Sequence, residues 1–258
     1  MKLLIALIIC TNFSLSFASV KKAKQLKKPV PKSIQKHALF PAFLRKYKDK
    51  EGLESLKKKT LSYGSKAVPL LTFVMKSKHF PDKNRWQATF CLGQIMGKKS
   101  AAYLSKFTSH PNWMLRLASL KALMSLEQKQ FKGIYSRMLK DKAMIVRLQA
   151  LETIKQFKLK ELAPYVWSML YDKKNYSGSK GERKRGNIIR NIIKTIGDLD
   201  FQKAQKPMLA MIQKKKYRDI HEELDYSLSK IMKKSSPKGN MSVKKHFWKS
   251  EYLKLQTI

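Results

Sequence analysis

Arg85-Trp-Gln-Ala-Thr-Phe-Cys-Leu92, Arg116-Leu-Ala-Ser-Leu-Lys-Ala-Leu123 and Arg147-Leu-Gln-Ala-Leu-Glu-Thr-Ile154 are three copies of one pattern, Arg-x-x-small-x-x-x-aliphatic, spaced 31 residues apart. In each copy the small residue (Ala88, Ser119, Ala150) and the aliphatic one (Leu92, Leu123, Ile154) are four apart. They therefore share one face of a helix, and the small residue lets a neighbouring helix approach closely. A repeat of this length is a helix-turn-helix unit too small to bury its own apolar face, so its neighbours must complete the core. The expected fold is all-α, an α-solenoid of five to six helix pairs.

Seventeen residues after each arginine stands Ala102, Gly133 or Pro164, and the same step from Arg190 reaches Pro207. Proline at that station suits the first turn of a second helix, where its missing N–H had no partner to lose. Ala67-Val-Pro-Leu-Leu71, Leu162-Ala-Pro-Tyr-Val166 and Lys206-Pro-Met-Leu209 read as such starts. Pro164 and Pro207 are 43 rather than 31 apart, so about a dozen residues have entered one unit. Their place is 172–186, Asp-Lys-Lys-Asn-Tyr-Ser-Gly-Ser-Lys-Gly-Glu-Arg-Lys-Arg-Gly, which lacks apolar periodicity and reads as an exposed basic loop.

These motifs resemble the HEAT repeat family, in particular the short HEAT-like repeats of the phycobiliprotein lyases. The family's first helix reads Val-Arg-x-x-Ala-x-x-x-Leu-Gly and its second Ala-x-Pro-x-Leu. Leu115-Arg116, Val146-Arg147 and Leu92-Gly93 match the first, and Ala67 to Leu71 and Leu162 to Val166 match the second. The resemblance covers about residues 51–234. It departs at Arg190, where Gly197 takes the aliphatic station and Ile196 stands one place early. It implies a solenoid that binds along an extended face and leaves the ligand open, because many functions share the fold.

Residues 1–18 form a separate element. Lys2 supplies a positive start, Leu3 to Ile9 an apolar run, and Ser16-Phe17-Ala18 a small-x-small cleavage site. This is the pattern of a secretory signal peptide, so the protein is expected in the periplasm or outside the cell, cleaved near Ala18. An uncleaved anchor fits less well, since Thr11, Asn12, Ser14 and Ser16 interrupt the run before the roughly 20 apolar residues a span requires. A lipoprotein signal at Cys10 is disfavoured by the bulk of Ile8 and Ile9. Cleavage leaves Cys91 as the single cysteine, flanked by Phe90 and Leu92 on a core helix, which reads as a buried inert thiol.

The chain holds 56 Lys and Arg against 17 Asp and Glu, a formal charge of +39, of which the signal carries only Lys2. So large an excess attracts polyanions. It is dispersed over an arm at 19–50, the triplet Lys57 to Lys59, the inserted loop, the triplet Lys214 to Lys216 and a tail at 235–258. Lysine predominates, which favours diffuse attraction over bidentate reading of single phosphates. Candidate partner-binding residues are Lys173, Lys174, Lys180, Arg183, Lys184 and Arg185 in the loop with Lys214, Lys215 and Lys216. The expected partner is an acidic protein or anionic envelope polymer, with nucleic acid as the alternative. Arg85, Arg116 and Arg147 are read as inter-repeat ties to turn carbonyls or acids, with Asp82 and Asp141 as candidate partners for Arg85 and Arg147.

Catalytic patterns are lacking. His37, His79, His110, His221 and His246 are scattered, and no nucleophile-histidine set emerges. A lyase-like or glycosylase-like enzyme is the remaining alternative. His221 and Asp225 have the spacing of two metal ligands, yet with Glu222 and Glu223 they read better as compensation for Lys214 to Lys216, and no metal or cofactor is expected. In the tail, Trp248, Tyr252 and Leu255 recur at helical spacing among lysines. Such a segment either caps the solenoid or lies peripherally on an anionic membrane, and the cap is the preferred reading.

Overall fold

The structure, a computed structural model, describes residues 29–177 and 184–256. The expected signal peptide, most of the basic arm, and Lys180 and Arg183 lie outside the described residues. The chain divides into two compact units, Met1–His37 and Ala38–Ile258. The described part of the first holds the short helix α1 (Lys32–Gln35), entered through Pro31, with Gln35 Nε2 donating to the Val30 carbonyl at 2.7 Å.

The second unit begins with α2 (Phe40–Leu44), which falls inside the stretch 19–50 that the sequence suggested to be an arm. Its apolar run has to be covered, and Leu39 and Phe43 are fully buried. Asn84 Nδ2 donates to the Phe43 and Arg45 carbonyls at 2.6 and 2.8 Å, fixing α2 to the first turn of the helix that starts at Asp82. Helices then alternate: α3 (Lys50–Ser62) with α4 (Val68–Lys76), α5 (Asp82–Met96) with α6 (Ala101–Lys106), and α7 (Trp113–Ser125) with α8 (Lys132–Met138). They continue as α9 (Met144–Gln156) with α10 (Ala163–Ser168), α11 (Asn187–Asp198) with α12 (Gln205–Gln213), and α13 (His221–Met232) with α14 (Met241–Lys254). The molecule is all-α apart from one two-stranded ribbon among the described residues.

The 31-residue register holds at both landmarks. Arg85, Arg116, Arg147 and Arg190 are each the fourth residue of their helix. Ala102, Gly133 and Pro164 are each the second residue of theirs, and Pro207 is the third. Each first helix from α5 onward packs on the next, α5 on α7, α7 on α9, α9 on α11 and α11 on α13. Each second helix packs on the first helix that follows it, as α4 does on α5 and α12 on α13. One apolar cluster runs from Leu117 and Leu120 through Ile154 and Ile192 to Leu228 and Trp248.

The turns inside the pairs repeat as well. Gly64, Gly97, Glu127, Lys158, Asp200 and Lys233 all have φ between 52° and 57°. Behind three of them the chain closes a helix end with a bond five residues back, Gln128 N–H to Leu123, Leu159 to Ile154 and Phe201 to Ile196. Glycine takes this left-handed conformation without strain, and the other four residues are held in it by the helices they join.

These bonds settle the phase at Arg190. Ile196 accepts where Leu123 and Ile154 accept, and α11 has 12 residues where α7 and α9 have 13. One residue is missing from α11, so Ile196-Gly197 is the counterpart of Leu92-Gly93. A Cβ on Gly197 would stand 2.6 Å from Ser227 Cα, so here α11 and α13 meet backbone to backbone. Ser227 Oγ donates to the Ile193 carbonyl across the same crossing at 2.8 Å.

The stretch 172–186, expected to be structureless, has an ordered base. Lys173–Asn175 makes a 3-10 turn, and β1 (Tyr176–Ser177) pairs antiparallel with β2 (Lys184–Arg185). Buried Asn175 explains the turn: its Nδ2 donates to the Met169 carbonyl at 2.8 Å and its Oδ1 receives Arg147. At the other end, α14 lies on α12 and α13 with Trp248 fully buried. Trp248 Nε1 and Lys244 Nζ take the two oxygens of Asp225 at 2.7 Å each, and Glu251 is held between Lys234 and Lys254. The tryptophan of the tail thus serves the interior.

Candidate functional site

The repeated arginines are enclosed in hydrogen bonds. Arg85, 2% exposed, donates through Nε and Nη2 to the Met75 carbonyl, through Nη1 to Asp82 at 3.0 Å, and lies 3.2 Å from His110 Nε2. Arg116 grips Asp141 with Nε and Nη2 at 2.7 and 2.6 Å while Nη1 donates to the His110 and Pro111 carbonyls. Arg147, 2% exposed, donates to the Asp141 and Lys142 carbonyls behind it and to Asn175 Oδ1 and the Lys174 carbonyl ahead. The two later arginines therefore each bridge the turn before their own helix and the turn after its partner.

Asp141 plays a different part from the one its spacing suggested. Its carboxylate belongs to Arg116, and Arg147 takes only its main-chain oxygen. The reason lies in a second 31-residue series, His110, Asp141 and Asp172, in the turns that follow the second helices. Each accepts the backbone N–H two residues on, from Asn112, Ala143 and Lys174 at 3.0, 2.8 and 3.0 Å. That bond turns the side chain of residue 141 back towards the preceding arginine. His110 has its titration pushed below the usual imidazole value by burial and by the Arg85 guanidinium.

Arg190 occupies the same helical position but is 40% exposed at its side chain. Its Nη1 bonds Glu223 at 3.1 and 3.3 Å, and the ion pair borders a cleft of about 800 Å³ between α11, the 3-10 stretch Lys215–Ile220, α13 and the start of α14. The cleft is lined by Arg190, Lys215, Arg218 and Lys245 against Asp219 and Glu222. Asp219 is already paired with Arg185 at 2.9 Å.

Arg185 joins two of the sequence-predicted groups. It donates to the Lys216 carbonyl at 2.8 Å and stands over the Tyr217 ring at 4.7 Å, so the stem of the inserted stretch is tied to the Lys214–Lys216 triplet. Lys214, Lys215 and Lys216 are exposed, as are Lys173 and Lys174 at the other side of the ribbon base. Lys184 is placed by its backbone pairing with Ser177. The reading of the sequence missed Arg218, Lys245 and Arg190 as neighbours of the triplet. Arg218 follows it directly, whereas Lys245 comes from the far end of the chain and only the docking of α14 brings it in.

His221, the first residue of α13, lines the cleft and is 4% exposed, and its Nε2 has no hydrogen-bond partner among the described residues. Burial lowers its titration, a bond to the Lys214 backbone opposes that, and Lys245 adds to the lowering. Asp225 does not join it as a ligand pair, since Lys244 and Trp248 occupy both carboxylate oxygens. Burial raises the Asp225 carboxyl, but the hydrogen bonds from Lys244, Ser236 and Trp248 outweigh it and the net shift is downward. No group of three or more His, Cys, Asp or Glu side chains among the described residues is arranged to hold a metal ion.

Cys91 is fully buried, and burial pushes its thiol up to about 11, so it is a protonated packing residue. A smaller cavity under the ribbon is lined by Trp167, Tyr171, Tyr176 and Tyr217, with Arg185 as its only charged lining residue among those described. No helix among the described residues is long and apolar enough to cross a membrane. No protein-family model matches the chain, and no curated protein matches it.

Proposed function

We propose that this protein is an exported, non-enzymatic scaffold of the HEAT-like type, an α-solenoid of stacked helix pairs that holds an acidic protein or anionic envelope polymer on its basic surface. The observation that carries the reading is a cleft lined by Arg190, Lys215, Arg218 and Lys245, with exposed Lys214 and Lys216 beside Lys215 in sequence and Arg185 tied to the Lys216 carbonyl, in a chain of formal charge +39. The repeated register of arginines, second-helix starts and left-handed turns supports the stacked arrangement, and the signal-like pattern of residues 1–18 supports export. Of the two carboxylates lining the cleft, Asp219 is paired with Arg185 and exposed Glu222 offsets one cation, so the four cations leave a net positive lining for an outside anion.

The test is retention on immobilised poly-glutamate. Six cation contacts would lower affinity on the order of 10³-fold between 50 and 200 mM salt. The variant carrying Lys214→Glu, Lys215→Glu and Lys216→Glu elutes at much lower salt if these residues form the contact surface. Equal elution of parent and variant, or retention indifferent to salt, refutes the proposal.

A further inference from the structure

The arginine ties that close the turns also set those turns in a row. Arg116 Nη1 holds the Pro111 carbonyl at 2.9 Å while its Nε and Nη2 hold Asp141, so the turn before α7 and the turn before α9 share one guanidinium. Arg147 holds the Lys142 carbonyl at 3.1 Å and the Lys174 carbonyl at 2.9 Å, which brings the turn at 172–175 beside the turn before α9. Residues 110–113, 141–145 and 171–174 therefore lie side by side along one edge of the packed helices.

Large apolar side chains are left outside on that edge. Trp113, Met144 and Ile145, which open α7 and α9, are 44, 54 and 46% exposed, and Tyr171, at the end of the 3-10 turn Met169–Tyr171, is 73% exposed. Helical side chains lean towards the N-terminus of their helix, so those at the first positions point past the helix ends. Behind them Leu117, one turn on from Trp113, shares a hollow of about 280 Å³ with Ile145 and Leu148, which joins the tips of α7 and α9 into one patch.

The charges of this edge are sorted by sign. Lys140, Lys142, Lys173 and Lys174 are exposed, whereas Asp141, between the first two, is 8% exposed and turned in to Arg116. Asp172 is half-buried with Oδ1 on the Lys174 N–H, and exposed Arg137 donates to the Thr108 and Ser109 hydroxyls. Further along the row Asp82 is engaged by Arg85 beside exposed Lys78 and Lys83, and in the hollow Lys121 and Lys155 accompany Glu152. Apolar tips thus stand among cations with most of the acids drawn back.

The turns inside the pairs supply a control within the same molecule. They are also basic, with Lys129, Lys132, Lys158 and Lys160 exposed, but Lys132 and Lys160 are paired with Glu161 and Asp200. Among the described residues from α3 to α12, Met96 at 36% is the one large apolar side chain exposed at those turns. Charge is common to both edges, and the row of apolar tips belongs to one.

We infer that this edge is a docking surface for an anionic lipid bilayer, with Trp113, Met144, Ile145 and Tyr171 entering the headgroup region and Lys140, Lys142, Lys173 and Lys174 meeting the lipid phosphates. Separate tips divided by cations suit a deformable bilayer, which admits each side chain singly and attracts each lysine. Tryptophan and tyrosine are suited to that boundary, since each offers an apolar ring and a polar atom. The inference goes beyond the scaffold reading and uses none of the residues that line the cleft.

The experiment titrates the full chain with vesicles of phosphatidylcholine, alone or mixed with phosphatidylglycerol, in which the acyl chains are brominated near the headgroup. Tryptophan fluorescence is quenched by the mixed vesicles and much less by the neutral ones. Residues 1–18 contain no tryptophan, so an apolar N-terminus does not supply the signal. Trp113→Phe keeps an apolar ring, associates as the parent does, and loses most of the quenching, which assigns it to that residue. Met144→Ser with Ile145→Ser raises the lipid needed for half-quenching about tenfold, and both side chains are too exposed for the fold to depend on them. Lys140→Gln with Lys142→Gln raises it about thirtyfold, and Met96→Ser, on the control edge, leaves it unchanged.

Association without quenching, the mark of diffuse charge attraction, overturns the inference. So does quenching that persists in Trp113→Phe, or that is the same in depth and lipid dependence after Met144→Ser with Ile145→Ser. Poly-glutamate retention without quenching sinks only this inference, and quenching without poly-glutamate retention sinks only the scaffold.

Discussion

Arg116 and Arg190 occupy the same position in equivalent helices and meet opposite fates. Through α5, α7 and α9 the spacing is strict, a carbonyl, carboxylate or amide oxygen meets each arginine, and the guanidinium groups are used up inside the molecule. From α11 onward an inserted stretch precedes the helix, one residue is missing within it, and the arginine is left with one carboxylate and a view of solvent. Regularity consumes charge in holding turns together, and departure from it frees charge for an outside partner. The repeated arginine is thus structural, and the arginine of the broken unit is the one left for binding.

The largest expected effect tests that division directly. Arg116→Met leaves the nearly buried Asp141 carboxylate and two turn carbonyls without their donor, and should cost about 3–5 kcal/mol in urea denaturation. Arg190→Met removes an arginine that is 40% exposed but strands the 7%-exposed Glu223 carboxylate, and with no turn carbonyls lost it should cost about 1–3 kcal/mol. Similar losses for the two would dissolve the contrast.

Next in size is the helix crossing that the short α11 makes necessary. Gly197→Ala drives a methyl into the Ser227 backbone and should destabilise by about 2–3 kcal/mol. Gly133→Ala, in α8 with nothing within 4 Å of the new carbon, should be neutral or gain a few tenths to about 1 kcal/mol. The turns give a smaller gain. Lys158 is held at a φ of 52°, where a side chain is strained and glycine is not, so Lys158→Gly should raise stability by about 1 kcal/mol.

The smallest effect is a pH dependence. His110 and His221 both titrate below the ordinary 6.5, so below that value the unfolded chain binds more protons than the folded one. Their contribution is complete above pH 6.5 and is lost as the pH falls from there towards their folded values. Melting curves between pH 7.5 and 5 should show the decline, and His110→Gln should flatten it. A stability that rises on acidification would contradict both assignments.

Much of this was legible in the chain. Arg85, Arg116 and Arg147 fixed the period, and Pro164 and Ala102 fixed the second helices, because both depend on local geometry. The turn residues were legible in principle, since His110, Asp141 and Asp172 keep the same period, although only Asp141 among them accepts an arginine through its side chain. Read as scattered histidines and isolated acids, they gave no signal, because their role lies in a turn formed by residues far along the chain. Phase at Arg190 could not be read because a one-residue deletion moves Ile196 without marking where the turn closes. The cleft was the least visible, since Lys245 and His221 are neighbours only after α14 has folded back on Trp248.

The base of the inserted stretch has one further consequence. Arg147 clasps it at Lys174 and Asn175, and Arg185 fastens it at Lys216 and Asp219, so both ends of the hairpin are anchored independently of whatever joins them. That makes the ribbon a socket: residues 178–183 could be exchanged for an affinity tag, a reporter peptide or a longer recognition loop while the helices beneath kept their registry.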